Sequence, residues 1–263
     1  MHKIALSAEV LQMIQVQQGT LHPHQHLDLR RTAHLIVDLQ NGFMEPGAPV
    51  EVPVAREIVP NVNQISAAVR AHGGRNIFLR MTVDAHSRAS WSNWFKYLLT
   101  AENGAALAQA FVPGAHYWQL WPALTVTDRD LMVEKFRFGA FVPGASPLHE
   151  ILQGHGIDTL IITGTLSNCC CESTARDAMQ MNYKLIFVAD ANAALTDAAH
   201  NGTLDNMYML FADVMTTKEV LGVIARSRVR VGCETAQLCL NNSGNSNNLE
   251  SEGDHAQSAR FVS

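Results

Sequence analysis

Three adjacent thiols, Cys169, Cys170 and Cys171, lie in the run Gly164-Thr165-Leu166-Ser167-Asn168-Cys169-Cys170-Cys171-Glu172-Ser173-Thr174-Ala175-Arg176-Asp177-Ala178, where an apolar strand gives way to a helical pattern. Unpaired amides and the positive end of a helix dipole favour negative charge at such a junction, and can lower a cysteine pKa from about 8.5 toward ~3.5–7.5. The same amides are suited to holding an oxyanion. Adjacent cysteines also serve as small buried apolar residues. Zinc binding fails on spacing, because consecutive residues point about 100° apart on a helix and do not converge as a C-x-x-C pair does. One of the three is expected to face a cleft. A thiol nucleophile needs a proton acceptor and a positive charge, and both types occur at the ends of other apolar runs. Asp38 follows Leu35-Ile36-Val37, and Lys135 follows Leu131-Met132-Val133-Glu134. Taken singly, Asp38 also reads as a turn residue before Asn41-Gly42, and Lys135 as a solvated strand end.

What must bring these groups together is the alternation of strand-like apolar runs with helical patterns, the sign of a parallel sheet covered on both faces. Strands are expected at Leu35-Ile36-Val37, Ile77-Phe78-Leu79, Leu131-Met132-Val133, Leu160-Ile161-Ile162 and Leu185-Ile186-Phe187-Val188, with a short one around Val214. A helix is expected after Pro60, where Val62, Ile65 and Val69 recur at helical spacing and stop at Gly73-Gly74. Others should begin near Pro147, near Asn168 as a possible cap with the helix running through Met181, and after Thr196 toward Phe211, with a last one through Val220 and Ile224. The expected class is α/β, a three-layer α/β/α arrangement around a central, mostly parallel, Rossmann-like sheet. Ligands in open sheets of this kind bind at the carboxyl edge, where Asp38, Lys135 and the Gly164–Cys170 connection all emerge.

With 263 residues and 47% hydrophobic content, the chain can bury the core of one large domain, taken as residues 34–226. An N-terminal extension, 1–33, carries His22, His24 and His26 and is read as a solvated arm rather than a metal site. The tail, 227–263, is too rich in Asn, Ser and Gly to bury a core and is expected to be mobile. A net charge of -5 without a lysine or arginine run gives no attraction for nucleic acid or an anionic membrane, so a small molecule is the default partner. Five cysteines, three of them contiguous, do not make a disulfide framework, and the first residues lack the pattern of a secretory signal. A cytoplasmic location is expected. No stretch approaches the ~18–20 apolar residues of a membrane span.

Three segments carry a resemblance. Asp38-Leu39-Gln40-Asn41-Gly42-Phe43, Lys135-Phe136-Arg137-Phe138-Gly139-Ala140-Phe141 and Gly164 through Ala178 resemble, in order, the signature segments of the isochorismatase-like cysteine hydrolases. The third segment, with its Cys-x-Glu-Ser-Thr-Ala-Arg-Asp-Ala pattern, is the most specific. The resemblance implies a catalytic triad of Asp38, Lys135 and Cys170, with Cys169 and Cys171 facing packing. It implies a cis Thr165–Leu166 peptide and an oxyanion hole made by the backbone amides of Leu166 and Cys170. The implied activity is hydrolysis of a C–N bond in a small amide, a carbamoyl or ureido compound or a cyclic amide, through a thioester and without metal or organic cofactor. The pattern is most similar to the ureidoacrylate, carbamoylsarcosine and streptothricin amidohydrolase branches. Nicotinamidase-like relatives hold a metal with an Asp and two His residues, whereas Asp84-Ala85-His86-Ser87-Arg88-Ala89-Ser90 keeps an Asp and one His, so no metal is expected. Vinyl ether hydrolysis of the isochorismatase type, whose enzymes lack the nucleophilic cysteine, is the alternative. A non-catalytic binding protein of the same fold would leave the joint presence of Asp38, Lys135 and Cys170 unexplained.

The candidate substrate contacts are Gln40, Asn41 and Phe43 in the first segment, Phe138 and Phe141 in the second, and His86, Trp91 and Trp94 between the second and third strands. Trp91, Trp94, Phe95 and Leu98 recur at helical spacing in an insert over residues 90–111, which reads either as a lid over the cleft or as a packing surface. Arg137 is read as a surface charge. The apolar insert also suggests a homo-oligomer, a dimer or tetramer.

Overall fold

The computed structural model describes residues 1–227, so residues 228–263 of the expected tail lie outside the described residues. Strands β1 (Thr32–Val37), β2 (Arg75–Met81), β3 (Leu131–Lys135), β4 (Thr159–Thr165), β5 (Lys184–Ala193) and β6 (Asp213–Met215) form one sheet in the order β3-β2-β1-β4-β5-β6. Every neighbouring pair is parallel. Between them lie α1 (Ala8–Gln18), α2 (Asn41–Met44), α3 (Ala55–Ala71), α4 (Ala85–Ser90), α5 (Ser92–Tyr97), α6 (Ala101–Ala110), α7 (Leu148–Gly154), α8 (Glu172–Gln180) and α9 (Asp197–Asn206). A last helix covers residues 217–227. Among the described residues no helix is long and apolar enough to cross a membrane.

Successive strand residues point to opposite faces, and the apolar runs are continuous because both faces are covered. Ile36, Phe78, Ile161 and Ile186 pack on one side with Ile58, Val62, Ile65 and Val69 of α3 and with Val220, Val223 and Ile224. Leu35, Ile77, Leu160, Ile162 and Phe187 pack on the other with Val10 and Ile14 of α1, Leu148 and Leu152 of α7, and Ala175 and Ala178 of α8. Burying each large side chain contributes about 1.5–3 kcal/mol, so the two clusters dominate the stability of the layers. Helix α3 starts at Ala55, earlier than Pro60 suggests, because the buried Ile58 and Val59 extend its apolar face through the proline.

The N-terminal stretch departs from the expected solvated arm. Its helix α1 buries Val10 and Ile14. His22 Nδ1 lies 2.7 Å from Asp213 Oδ1, the His24 amide donates to Asp213 Oδ2, and Tyr208 donates its hydroxyl to Leu21 O. The His22 ring and the His24 amide therefore answer a buried carboxylate at the sheet edge, while His26 is exposed.

One polar cluster crosses the core. His34 on β1 meets Thr163 Oγ1 at 2.8 Å and Ser66 Oγ at 3.2 Å, while Asn76 joins Ser66 O to Asp130, itself paired with Arg70. Burial pushes the His34 imidazole down to about 3, so it is neutral in the folded chain. The unfolded chain binds a proton there from about pH 6.5 downward, so the stabilisation is complete above that pH and is lost as the pH falls toward 3. Unfolding free energy from urea titrations should drop by about 1.4 kcal/mol for each unit below pH 6.5 from this residue. His34→Gln should flatten that part of the slope. A stability unchanged between pH 7 and pH 5 would contradict the assignment.

Candidate active site

Strand order places the switch point of the sheet between β1 and β4, which run side by side with Val37 opposite Gly164. Helices must leave such a point on opposite faces, so a crevice opens at the carboxyl ends. Gly164 has φ +126°, and a Cβ there would lie 2.1 Å from Val37 O, so only glycine permits the approach. Immediately after it, the Thr165–Leu166 peptide is cis. The chain then winds through a π-type turn, Ser167–Cys171, before α8 begins at Glu172. Asn168 is not the cap of this helix: it lies inside the turn, which no side chain caps. The periodicity of the residues could not reveal the wider winding.

Asp38 follows β1 with φ +53°, a left-handed conformation that aspartate tolerates better than most residues. Its amide donates to Leu79 O and its carbonyl accepts from Gln40 N, which turns the side chain back over the edge. Lys135 ends β3, two strands away and opposite Met81 in the register. Its long stem passes Met81, with Nζ 3.8 Å from Sδ, and the ammonium reaches Asp38 Oδ2 at 2.8 Å. Nζ also donates to Arg137 O. Both side chains are wholly buried. Apart from this ion pair, the Asp38 carboxylate has no protein donor of good geometry among the described residues. The neighbouring Cys170 thiol also acts on this carboxyl and, like Lys135, pulls it down.

Burial raises the Asp38 carboxyl above its ordinary value, against the pull of Lys135, and so makes it a stronger base than a solvated aspartate. Burial disfavours the Lys135 ammonium, but Asp38 and Cys170 outweigh it and hold the lysine above its usual range. The Cys170 thiol is pushed up, first by its hydrogen bond with Cys169 and then by burial, with Lys135 opposing. That direction is the reverse of the one expected from a helix-start position, because desolvation and a neighbouring thiol exceed the effect of a short turn. Cys169, half-buried, is lowered by the same hydrogen bond. Cys171 is fully buried in the core and raised by desolvation. The Asp38 carboxyl and the Cys170 thiol thus both hold a proton more tightly than they would in water, beside a fixed cation.

The segments around these residues lock together. Ala140 donates its amide to Thr174 Oγ1, and a Cβ on Gly139 would come 2.9 Å from Asp177 Oδ2, so the stretch after Lys135 lies directly on α8. Glu172 accepts from Arg176 at 2.7 Å and from Thr203 Oγ1 at 2.7 Å, tying the start of α8 to α9.

The candidate substrate contacts divide. Trp91 and Trp94 stack at 4.3 Å, and Phe138 meets them edge-on at 4.8 and 5.2 Å. An open groove of about 530 Å³ runs along this cluster, lined by Trp91, Asn93, Trp94, Tyr97, Leu98 and Phe138. Arg137, read from sequence as a surface charge, is half-buried: it donates to Ser90 Oγ and lies over the Trp91 ring at 5.2 Å, joining the insert to the residues after Lys135. Gln40 is committed to backbone, its amide donating to Met81 O and Trp118 O and accepting from Met81 N. Asn41 donates to His116 O. Phe43 is buried against Phe111, and Phe141 packs on Tyr183, away from the Trp91 cluster. His86 is exposed on α4, whose N-terminus is capped by Asp84 accepting from Ser87 N. Among the described residues no three His, Cys, Asp or Glu side chains converge as a metal site.

An isochorismatase domain model matches residues 32–219. An uncharacterized isochorismatase family protein of Escherichia coli, YecD, is 30% identical over 75% of this chain and 98% of its own length. The ureidoacrylate amidohydrolase RutB of Methylobacterium radiotolerans is 30% identical over 76% of this chain and 83% of its own. Among solved structures, a cysteine hydrolase from Pseudomonas syringae superposes with a TM-score of 0.66 at 27% identity, covering 76% of this chain and 95% of that one. The match begins at the first residue of β1 and takes in the carboxyl edge where Asp38, Lys135 and Cys170 meet, and by it the chain belongs to the isochorismatase family.

Proposed function

We propose that this chain is a cysteine hydrolase that cleaves the C–N bond of a small amide, carbamoyl or ureido compound, or cyclic amide, with Asp38, Lys135 and Cys170 as its catalytic residues. The observation that carries this function is the dry Asp38–Lys135 pair at 2.8 Å with the Cys170 thiol against the carboxylate. Asp38 takes the thiol proton while the Lys135 charge stabilises the sulfur anion, and Cys170 attacks the carbonyl carbon. The carbonyl oxygen is held by the amides of Leu166 and Cys170, each such donor being worth about 2.7–4 kcal/mol in the transition state. Asp38 returns the proton to the leaving nitrogen, the C–N bond breaks, and a thioester remains. Water, deprotonated by the same carboxylate, hydrolyses the thioester and restores the thiol. None of these steps calls for a metal or an organic cofactor. Relatives named ureidoacrylate amidohydrolase and N-carbamoylsarcosine amidase favour ureido and carbamoyl substrates for the first trials. Ammonia release from primary amides and N-carbamoyl acids, and the gain of one water on ring opening of cyclic amides, with mass spectrometry of trapped adducts, test the function. An adduct on Cys170 is expected, and a turnover that proceeds with Cys170 unmodified would overturn it.

We further propose that Trp91, Trp94 and Phe138 form the wall that selects the substrate. Trp91→Leu and Trp94→Leu should change the ranking of cleaved amides by about tenfold in kcat/KM while leaving alkylation of Cys170 by iodoacetamide within about twofold. Folded variants with an unchanged ranking would make the cluster a packing element only.

A further inference from the structure

The turn that carries Cys170 is held from a direction that the triad does not explain. Ser167, its first residue, lies 2.8 Å from His200 Nδ1, and His200 Nε2 lies 3.0 Å from Ala189 O on β5. A carbonyl only accepts, so Nε2 carries the proton and Nδ1 accepts from the Ser167 hydroxyl. The ring is wholly buried, and burial lowers it to about 4, which keeps it neutral and this tautomer in place near neutral pH. One turn further along α9, Thr203 repeats the tie by donating to Glu172.

A second histidine closes the arrangement. The His2 ring stacks on His200 at 4.3 Å and 16°. The Ala194 amide donates to His2 Nε2, so His2 Nδ1 carries the proton and donates to Asp197 Oδ1 at 2.7 Å. Ala5, Ser7 and the Lys3 carbonyl add bonds to Asn201 and Asp205. The strap formed by residues 1–7 thus holds α9, although the family match starts only at residue 32.

Resting on the hydrolytic function proposed above, we propose that His200 is a positioning residue for the nucleophile: through Ser167 it fixes the turn that aligns Cys170 and its amide, with His2 clamping the imidazole. The two halves of the imidazole separate cleanly by substitution. His200→Asn keeps an acceptor near the Nδ1 position, whereas His200→Gln keeps a donor near Nε2 and loses the bond to Ser167.

The test compares two reagents on Cys170, with adducts located by mass spectrometry. Alkylation by iodoacetamide needs access and a thiolate, whereas acylation by p-nitrophenyl acetate also needs aligned oxyanion amides. A loosened but merely structural element changes alkylation without a specific fall in their ratio. In Ser167→Ala and His200→Gln the ratio of acylation to alkylation should fall about tenfold, no further in the double variant, and in His200→Asn it should stay within about twofold of wild type. Folded Ser167→Ala and His200→Gln proteins with an unchanged ratio would overturn the inference while leaving Cys170 as nucleophile. Should these buried variants fail to fold, His2→Ala decides: a fall of about threefold upholds the inference and an unchanged ratio overturns it. A wild-type protein not acylated at Cys170 would remove the nucleophile itself and overturn both proposals.

Discussion

Replacing Cys170 with serine should abolish hydrolysis, lowering kcat/KM by about 10⁴-fold or more. A hydroxyl is far less acidic than a thiol, and Asp38, though raised by burial, remains a carboxylate unable to deprotonate it to a useful extent. Cys169→Ser should retain activity within about tenfold, since Cys169 is half-buried and, unlike Cys170, does not act on the Asp38 carboxyl. Cys171→Ala should act on stability alone, because that thiol is enclosed in the core. Steady-state ammonia release, with mass spectrometry of trapped acyl adducts, distinguishes the three. If the serine at 169 costs as much as the serine at 170, the nucleophile is Cys169, the thiol that the mutual hydrogen bond makes easier to ionise.

The Asp38–Lys135 pair should show the asymmetry of a buried ion pair. Lys135→Met leaves a wholly buried carboxylate without its cation, which should cost about 3–5 kcal/mol of stability or force the carboxyl to stay protonated at neutral pH. The second outcome removes the base, and both remove the cation that stabilises the sulfur anion. Asp38→Asn keeps the shape but removes the proton acceptor, and turnover should fall by about 10²–10⁴-fold. The double variant should be more stable than the sum of the two single losses predicts, by about 1–3 kcal/mol, because neither orphaned charge remains. Urea titration measures the stability cycle and ammonia release the turnover. Activity within tenfold of wild type in either single variant would exclude the pair from catalysis.

The contrast between the two groups of candidate contacts has a physical origin. Asp38, Lys135 and Gly164 were legible because each ends an apolar run, and parallel strands bring such ends to one edge whatever their spatial order. Gln40 and Asn41 carry polar side chains beside that edge, yet both spend their amides on the backbone of residues 81, 116 and 118. Nothing local distinguishes a side chain that faces a ligand from one that braces a loop. The aromatic residues divide in the same way, since spacing sets a helix face but not the neighbour it meets: Trp91 and Trp94 met Phe138, whereas Phe43 met Phe111. His200 left no signal at all, because its partner Ser167 lies 33 residues away and on another element.

By itself the sequence determined the alternating elements, the two-sided burial of the sheet and the chemical types at its carboxyl edge, all of which follow from periodicity and residue type over a few neighbours. Tertiary structure decided the order β3-β2-β1-β4-β5-β6, which makes Lys135 reach past Met81 to Asp38. It decided the π-type winding of Ser167–Cys171 and the packing of the N-terminal strap on α9. It also decided the protonation of the thiol. A helix start favours the thiolate locally, but the Cys170 proton answers to burial and to Cys169, Asp38 and Lys135, and desolvation is a property of everything packed around a group rather than of the residues beside it in the chain.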